Sequence, residues 1–372
     1  MNIFKKTLGV LAISIGAIAL TACGDGASSN NDGAGTIGIV LPSTDLPRWL
    51  QDEQRFIAAL EGTDFNSTIL FSQDSPSVEL QNVETLITQQ VDVIILTPVD
   101  GTAAAAAANA AYAAGIPLIA YDRLIMGTPN LPYYVTFDSY AVGYAMGRFL
   151  AENATGTGNP LYLYAGHPAD NNAFLFFEGS WSALQPYVAN GTFVIYNSSE
   201  AVALQNNPTL TREQMAGIIG QVTTEWTNDT ARNLAEAHLT MLGSQGKGEV
   251  FVLAPNDGTS LAISDAFNQD PEITRLWITG QDAEISSVQG IIDGRQSMTV
   301  FKDVRMLVND AIDVAIAIIE GRTPSTEGYF DNGIIQVPSK LTEVIVVDIY
   351  NLRSILIDSG YYEEGQFNWA NY

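Results

Sequence analysis

Short apolar runs alternate along this chain with longer segments in which apolar residues recur at helical spacing. Short runs suit buried strands, and apolar residues three and four positions apart suit helices that cover a sheet. This alternation predicts right-handed βαβ units and a parallel sheet with helices on both faces. In the first part of the chain, the expected strands are Thr36–Leu41, Thr68–Phe71, Val91–Leu96, Ile116–Tyr121 and Tyr134–Phe137, and the expected helices are Pro47–Glu61, Ser77–Gln90 and Thr102–Gly115.

A second series of the same kind follows, so the pattern predicts an α/β protein with two doubly wound lobes. The length of 372 residues agrees with two domains of about 150 residues each. The expected strands of the second series are Leu161–Tyr164, Thr192–Tyr196, Glu249–Leu253, Leu276–Thr279 and Met298–Phe301, with helices such as Asn171–Gln185 and Asp229–Leu242 between them.

Residues 1–22 have the pattern of a signal peptide. Lys5 and Lys6 precede an apolar stretch, Thr7 to Thr21, that is shorter than the roughly 20 residues a membrane-spanning helix needs. The stretch ends in Leu20-Thr21-Ala22-Cys23, which resembles the lipobox of bacterial lipoproteins, where cleavage leaves a lipid-bearing cysteine at the N-terminus. The alternative is a plain secretory signal with an incidental cysteine.

We favour the lipoprotein because Cys23 is the single cysteine of the chain and lies at the small-residue cleavage site. Residues 23–35 then form the lipid anchor and a flexible tether, since residues 24–35 contain no large apolar side chain. The expected location is outside the cytoplasm, at the outer face of the cytoplasmic membrane.

The charge balance excludes several classes of function. With 41 acidic and 16 basic residues the formal charge is −25, and such a chain is repelled by phosphate backbones, so we expect no nucleic-acid partner. One cysteine and two histidines rule out an internal disulfide and Cys- or His-rich zinc sites. The segment 243–248 (GSQGKG) is too short for a phosphate-binding loop. We expect no metal and no cofactor.

Charged, amide and indole side chains follow the expected strands at their carboxyl ends. Ligands of open α/β sheets bind outside those ends, so these side chains are candidates for one crevice. Sugar hydroxyls both donate and accept hydrogen bonds, and the apolar face of a pyranose stacks on aromatic rings, so this mixture suits a polyhydroxylated ring. The candidates include Arg48, Trp49, Asp122, Arg123, Asp138, His167, Asp170, Asn172, Asn256, Asp257, Gln281, Asp282 and Lys302.

Each candidate also has a purely structural interpretation. Asp and Asn after a strand often cap the next helix, Trp49 and Trp226 are also suited to a core, and His167 to an exposed loop. A binding role is favoured most strongly for Asp122 and Arg123. Adjacent residues of a strand-end loop can both face a cleft, and a helix cap alone does not require arginine.

Six motifs in register carry a family resemblance: AYDRLI (120–125), YVTFD (134–138), DNNA (170–173), PNDG (255–258), GQDA (280–283) and TVFK (299–302). In order and spacing they resemble the xylose-binding and multiple-sugar-binding proteins, which are type I periplasmic binding proteins. The resemblance extends from about residue 36 to residue 362. It implies two α/β lobes that are joined by three crossover strands and close around one monosaccharide, in a receptor for an ABC sugar importer.

The resemblance also implies a set of sugar-binding residues. Trp49 and Trp226 are the implied stacking rings, and His167 is a further candidate contact because other hexose receptors of the superfamily place a polar contact there. Segment 199–224, just before Trp226, is longer than its counterpart in the xylose-binding protein. The implied sugar-binding residues are Arg48, Trp49, Asp122 and Arg123 from the first lobe, Asp170, Asn172, Trp226, Asn256 and Asp282 from the second, and Lys302 at a crossover.

The implied lobes are residues 36–138 with 302–332, and residues 139–301 with 333–372. Because ligand groups come from both lobes, a bound sugar favours the closed form, and the membrane permease recognises that closed shape. The expected ligand is xylose, glucose or a similar aldose. The expected partner is the permease, with a chemoreceptor or sensor kinase as a further candidate, and the protein is expected to be a monomer.

Three other functions compete with this interpretation. A glycoside hydrolase also places paired carboxylates on a sugar, but one must stay protonated, whereas Arg48, Arg123 and Lys302 favour ionised acids. A transcriptional repressor of this fold needs a basic DNA-binding head where this chain has its lipobox. A receptor for a non-sugar, such as a signalling furanone or a nucleoside that is presented to a chemoreceptor or sensor kinase, remains the main alternative.

Overall fold

Two mainly parallel sheets with helices on both faces form the core of residues 34–372, the part of the chain that this computed structural model describes. The predictions of a signal peptide, of lipidation at Cys23 and of most of the tether fall on residues 1–33, outside the described residues. Within residues 34–372, every helix is too short or too polar to cross a bilayer.

The strands lie close to the positions that the apolar runs predict. In chain order they are β1 (Gly35–Leu41), β2 (Phe65–Phe71), β3 (Val93–Leu96), β4 (Leu118–Tyr121), β5 (Tyr133–Phe137), β6 (Asn159–Leu163), β7 (Phe193–Ile195), β8 (Gly248–Leu253), β9 (Ile273–Ile278), β10 (Met298–Lys302), β11 (Gly328–Asp331), β12 (Gln336–Thr342) and β13 (Val344–Asp348). All residues of β3 and β4 are buried, as expected for strands that are covered by helices on both faces.

The helices begin soon after the strands, and several are capped by the polar residues that the sequence places there. Asp138, Asp170 and Asn256 each accept a backbone N–H in the first turn of the following helix. The helices are α1 (Pro47–Leu60), α2 (Pro76–Thr88), α3 (Ala105–Ala113), α4 (Ser139–Asn153), α5 (Asn171–Ala189), α6 (Ser199–Ala203), α7 (Arg212–Val222), α8 (Asn228–Leu242), α9 (Asp257–Asn268), α10 (Ile285–Ile292) and α11 (Val304–Ile319).

The two sheets repeat one doubly wound strand order. The first lobe contains the sheet β11-β12-β5-β4-β3-β1-β2, and the second contains β7-β6-β8-β9, which an isolated bridge between Gln281 and Val300 extends to the β10-β13 pair. The order reverses between β1 and β3 in the first lobe and between β6 and β8 in the second. Ligand crevices of doubly wound sheets open at these reversal points, so the topology directs attention to the strand ends there.

The chain passes between the lobes three times, after β5, after β10 and between β12 and β13, as the resemblance implies. The predicted lobe boundary at residue 333 needs correction. β12 pairs in parallel with β5, with Ser339 opposite Tyr134, so residues 336–342 belong to the first lobe. The reason is that β5 offers an open edge to β12, and only β13 returns to the second lobe, antiparallel to β10.

Helices α4 and α5 of the second lobe cross at very short distance because glycines line their contact. A Cβ atom on Gly143 would lie 1.9 Å from the carbonyl oxygen of Phe176, and one on Gly179 would lie 2.1 Å from that of Tyr140. This contact fixes α5, whose N-terminus carries Asp170 and Asn172.

We therefore expect Gly143→Ala to lower the free energy of unfolding by about 3 kcal/mol, because added atoms in a tightly packed contact force the backbone apart. Gly220→Ala on α7 is the matched control, because a Cβ there has nothing within 4 Å; it should raise stability by about 0.5–1 kcal/mol as a helical Gly-to-Ala change. Denaturant unfolding measures both, and equal stabilities of the two variants would contradict the close crossing.

Candidate ligand-binding site

A cavity lies between the two lobes at the carboxyl ends of their strands. All ten residues of the implied sugar-binding set line it. The complete lining is Leu46, Arg48, Trp49, Asp122, Arg123, Asp170, Asn172, Phe176, Trp226, Asn256, Gln281, Asp282, Glu284 and Lys302.

Arg48 lies at the centre of the ionic contacts of this cavity. Its guanidinium donates to Asp52 on the same helix at 2.6 Å and to Asp122 of the β4 loop at 3.0 Å. It also lies 3.6 Å from Asp282 of the second lobe. Tyr121 donates to the same Asp52 carboxylate, so both oxygens of Asp52 accept hydrogen bonds. A buried cation with three carboxylates around it holds elements of both lobes in one arrangement.

Two further ion pairs line the cavity. Arg123 of the first lobe lies 3.0 Å from Asp170 of the second, so this pair bridges the cleft. Lys302, at the end of β10, lies 2.7 Å from Oδ1 of Asp282. This contact pairs the charges without the geometry of a hydrogen bond, so Oδ1 of Asp282 is still able to accept one from a ligand.

The backbone of Asp122 is held in a left-handed conformation, with φ of 62°. Its carbonyl oxygen accepts hydrogen bonds from Tyr134 at 2.8 Å, from Thr136 at 3.0 Å and from Asn172 of the second lobe at 2.8 Å. Three bonds to one oxygen hold a conformation that is unfavourable for a non-glycine residue. Asp282 has a positive φ as well, 98°, at the matching strand end of the second lobe.

The carboxyl groups of the cavity differ in the direction of their pKa shifts. Burial alone would raise the pKa of Asp122, but Arg48, Lys302 and Arg123 outweigh it and hold that pKa below its usual value. Burial dominates at Asp170 and raises its pKa despite Arg123. Burial, with the charge of Asp282, raises the pKa of Glu284 to about 7.

Two indole rings face the cavity from opposite lobes. Trp49 lies beneath the guanidinium groups of Arg48 and Arg123, whose Cζ atoms are 5.1 and 5.2 Å from its ring centre. Trp226 packs on Gly166, where a Cβ atom would come within 2.0 Å of the indole. Within residues 34–372, neither indole N–H has a hydrogen-bond partner, and Oε1 of Gln281 has none either. The cavity thus offers donors and acceptors between two aromatic surfaces.

Four lining residues are missing from the implied set, and three strand-end candidates, Asp138, His167 and Asp257, are not in the lining. Phe176 follows Asn172 by one helical turn, so helical spacing was a usable signal, and Gln281 precedes Asp282 after β9. For Leu46 and Glu284, neither helical spacing nor a neighbouring site residue points to the cavity. His167 does not line the cavity: its Nδ1 accepts the backbone N–H of Ala169, in the turn before Asp170.

Within the described part of the chain, no group of three or more His, Cys, Asp or Glu residues has the geometry of a metal site. The three aspartates of the cavity, Asp122, Asp170 and Asp282, are paired with Arg48, Arg123 and Lys302. The arrangement suits an uncharged ligand rich in hydroxyl groups.

Comparison with known proteins assigns the chain to a family. Residues 37–323 match the family described as periplasmic binding protein domain. The chain belongs to this family. The multiple sugar-binding periplasmic receptor ChvE of Rhizobium radiobacter is 32% identical over 89% of this chain and 92% of its own length. The D-xylose-binding periplasmic protein of Escherichia coli is 27% identical over 89% of this chain and 92% of its own.

Solved structures of solute-binding proteins are similar as well. One from Chloroflexus aurantiacus, in complex with D-glucose, is 58% identical and has a TM-score of 0.88, with 89% of this chain and 98% of that chain covered. One from Clostridium phytofermentans, with bound β-D-glucose, is 30% identical and has a TM-score of 0.79, with 89% and 99% covered. These similarities agree with the type I periplasmic binding protein fold that the motifs imply.

We predict that Gly166→Ala turns Trp226 out of the cavity, because the added methyl occupies the position of the indole. Acrylamide should then quench more of the tryptophan fluorescence, and stability should fall by about 1–3 kcal/mol through overpacking. In a Trp226→Phe background the same substitution should leave the quenching unchanged. Unchanged quenching with Trp226 present would contradict the contact.

Proposed function

We propose that this protein is an extracytoplasmic substrate-binding lipoprotein that captures an aldose between its two lobes and delivers it to an ABC sugar importer. The observation that carries the proposal is the cavity itself. It gathers paired ionic groups and one indole from each lobe around one enclosed space between the strand ends.

Each type of lining group has a role toward a sugar. Asp122, Asp170 and Asp282 accept hydrogen bonds from hydroxyls, and the cations beside them donate to hydroxyls and to the ring oxygen. Charge-assisted bonds of this kind contribute about 1.5–3 kcal/mol each when water is excluded. Trp49 and Trp226 stack on the two faces of the ring. An aldose uses both properties at once.

Glucose is the first candidate among the aldoses, and xylose is the second. The Chloroflexus aurantiacus relative at 58% identity holds D-glucose, and the Clostridium phytofermentans relative holds β-D-glucose. More distant relatives are named as xylose-binding or multiple-sugar-binding proteins. One hydroxymethyl group separates glucose from xylose, and single hydroxyl orientations separate each of them from other aldoses, so direct measurement with each sugar ranks them.

Binding of the sugar brings the two lobes closer together. A ligand that contacts both lobes stabilises the closed form only by the contacts it gains there, so the sugar shifts an existing open–closed equilibrium. The permease then recognises the closed protein at the membrane, where Cys23 holds it through its lipid. A chemoreceptor or sensor kinase that reads the same closed shape is a further partner.

The proposal includes no catalysis. Hydrolysis of a glycoside needs one carboxylic acid that protonates the leaving group and a second carboxylate opposite it. Asp122 is kept ionised by Arg48, and Asp282 is in contact with both Arg48 and Lys302. The relatives are named as sugar-binding or solute-binding proteins, so oligosaccharides incubated with the protein should release no reducing sugar.

We predict that Asp122→Ala weakens aldose binding about 100-fold or more, because it removes a charged acceptor for the hydroxyls and leaves Arg48 facing the ligand without that partner. Truncating one partner of a buried charge pair at a binding surface costs about 2–5 kcal/mol. Titration calorimetry with glucose, xylose, galactose and arabinose measures the affinities. Glu152→Ala is the matched control, because Glu152 forms an exposed ion pair with Arg148; it should leave affinity unchanged. Near-normal affinity of the Asp122 variant, or binding of a nucleoside or furanone in place of sugars, would contradict the proposal.

A further inference from the structure

Glu79 is a buried carboxyl group outside the cavity lining. It lies in the first turn of α2 and is 1% exposed. Its Oε2 accepts the backbone N–H of Val99 at 2.6 Å, and within residues 34–372 it forms no ion pair at salt-bridge distance. A buried acid without a paired cation is costly, so its contact with the loop after β3 calls for an explanation.

That loop, residues 98–101, touches the first-lobe side of the binding site. The carbonyl of Pro98 accepts a hydrogen bond from Arg123 at 3.2 Å. The carbonyl of Gly101 accepts the N–H of Met126 at 2.8 Å, and a Cβ atom on Gly101 would lie 2.7 Å from the carbonyl oxygen of Leu124. The loop therefore packs tightly against the segment that carries Arg123.

The same loop also reaches the second lobe. The N–H of Gly101 donates to the carbonyl of Ala169 at 3.2 Å, and Ala169 immediately precedes Asp170. Asp170 is the partner of Arg123 across the cleft, at 3.0 Å. The loop that Glu79 holds thus contacts the side chain of Arg123 and the residue next to its partner.

We propose that Glu79 is a positioning residue for ligand binding, which holds the 98–101 loop so that Arg123 is directed at Asp170 and at the sugar. This inference rests on the proposed function, because it assigns to Glu79 an effect on the affinity for that sugar. Glu79 itself does not touch the ligand.

The protonation of Glu79 provides a way to test this role. Burial raises the pKa of Glu79 to about 7, and the charge of Asp100 acts in the same direction. The N–H of Val99 and the charge of Arg123 oppose this shift. An ionised carboxylate accepts a backbone N–H more strongly than a neutral carboxyl. Sugar affinity should therefore be highest above pH 7 and should decrease as Glu79 takes up a proton below it.

The same pKa has the opposite effect on stability. Because the folded state binds the proton more tightly than the unfolded chain, whose glutamate pKa is near 4.5, stability from this group is greatest at low pH and decreases as pH rises toward 7. Above pH 7 the ionised group thus favours ligand binding while it lowers stability. A purely structural role would change affinity and stability in the same direction.

The test compares Glu79→Gln with the wild-type protein by calorimetry with glucose between pH 5.5 and pH 8. Glutamine keeps the shape and a neutral acceptor for Val99, so the variant should bind about fivefold more weakly at pH 8 and equally well at pH 5.5. Its melting temperature without sugar should be higher than that of the wild type at pH 8. Glu84→Gln is the matched control, because Glu84 is an exposed residue of the same helix.

The decisive quantity is the ratio of the wild-type affinity to the Glu79→Gln affinity at each pH. Titration of Glu284 in the cavity changes both affinities alike, so its effect cancels in this ratio. A ratio that does not change with pH, or a variant that loses affinity and melting temperature together at pH 8, would overturn the positioning role. If the wild-type protein binds no sugar at any pH, the proposed function fails instead, so the two failures are distinguishable.

Discussion

The burial of Arg48 is the physical constraint on which the rest of the site depends. A guanidinium that is removed from water costs several kcal/mol unless carboxylates surround it in good geometry. Asp52 comes from its own helix, Asp122 from the β4 loop and Asp282 from the other lobe. The positions of the first two are fixed by the fold of one lobe, but the third is in place only when the lobes are close together. The same charge that holds the first-lobe half of the cavity in shape therefore also favours closure.

The duplicated fold explains why the carboxylates face each other. β4 and β9 occupy matching places in the two strand orders, and each is followed by an aspartate with positive φ, Asp122 directly after β4 and Asp282 in the loop after β9. In the same way Arg48 follows β1 and Asp170 follows β6. When two such lobes face each other, four matched strand ends meet in one cleft. Strain at the two aspartates is offset by the surrounding hydrogen bonds, and both side chains are held toward the ligand space.

The apolar pattern was sufficient for the strands and the two-lobe architecture, and the resemblance of the six motifs to sugar-binding proteins implied ten of the lining residues. The convergence of strand ends in doubly wound sheets explains why most of these ten lie together. The sequence was insufficient where the outcome depends on contacts between distant segments. The placement of β12 follows from the open edge of β5, His167 binds its own turn, and Glu284 enters the cavity through the left-handed turn at Asp282 and Ala283. The periodicity of apolar residues in the sequence contains no information about these contacts.

The central claim is that a sugar closes the lobes by completing contacts between them. Pulsed electron paramagnetic resonance tests it most directly, because it measures the distance between two spin labels. The labels are attached to cysteines that replace two exposed residues, Thr44 beside the end of β1 and Asp229 in the first turn of α8. Replacing Cys23 with serine confines the labels to these sites, since the chain has no other cysteine. Saturating glucose should shift the distance distribution to one shorter population in the wild type and leave it unchanged in the Asp122→Ala variant. A distribution that does not respond to a sugar shown by calorimetry to bind would contradict the account.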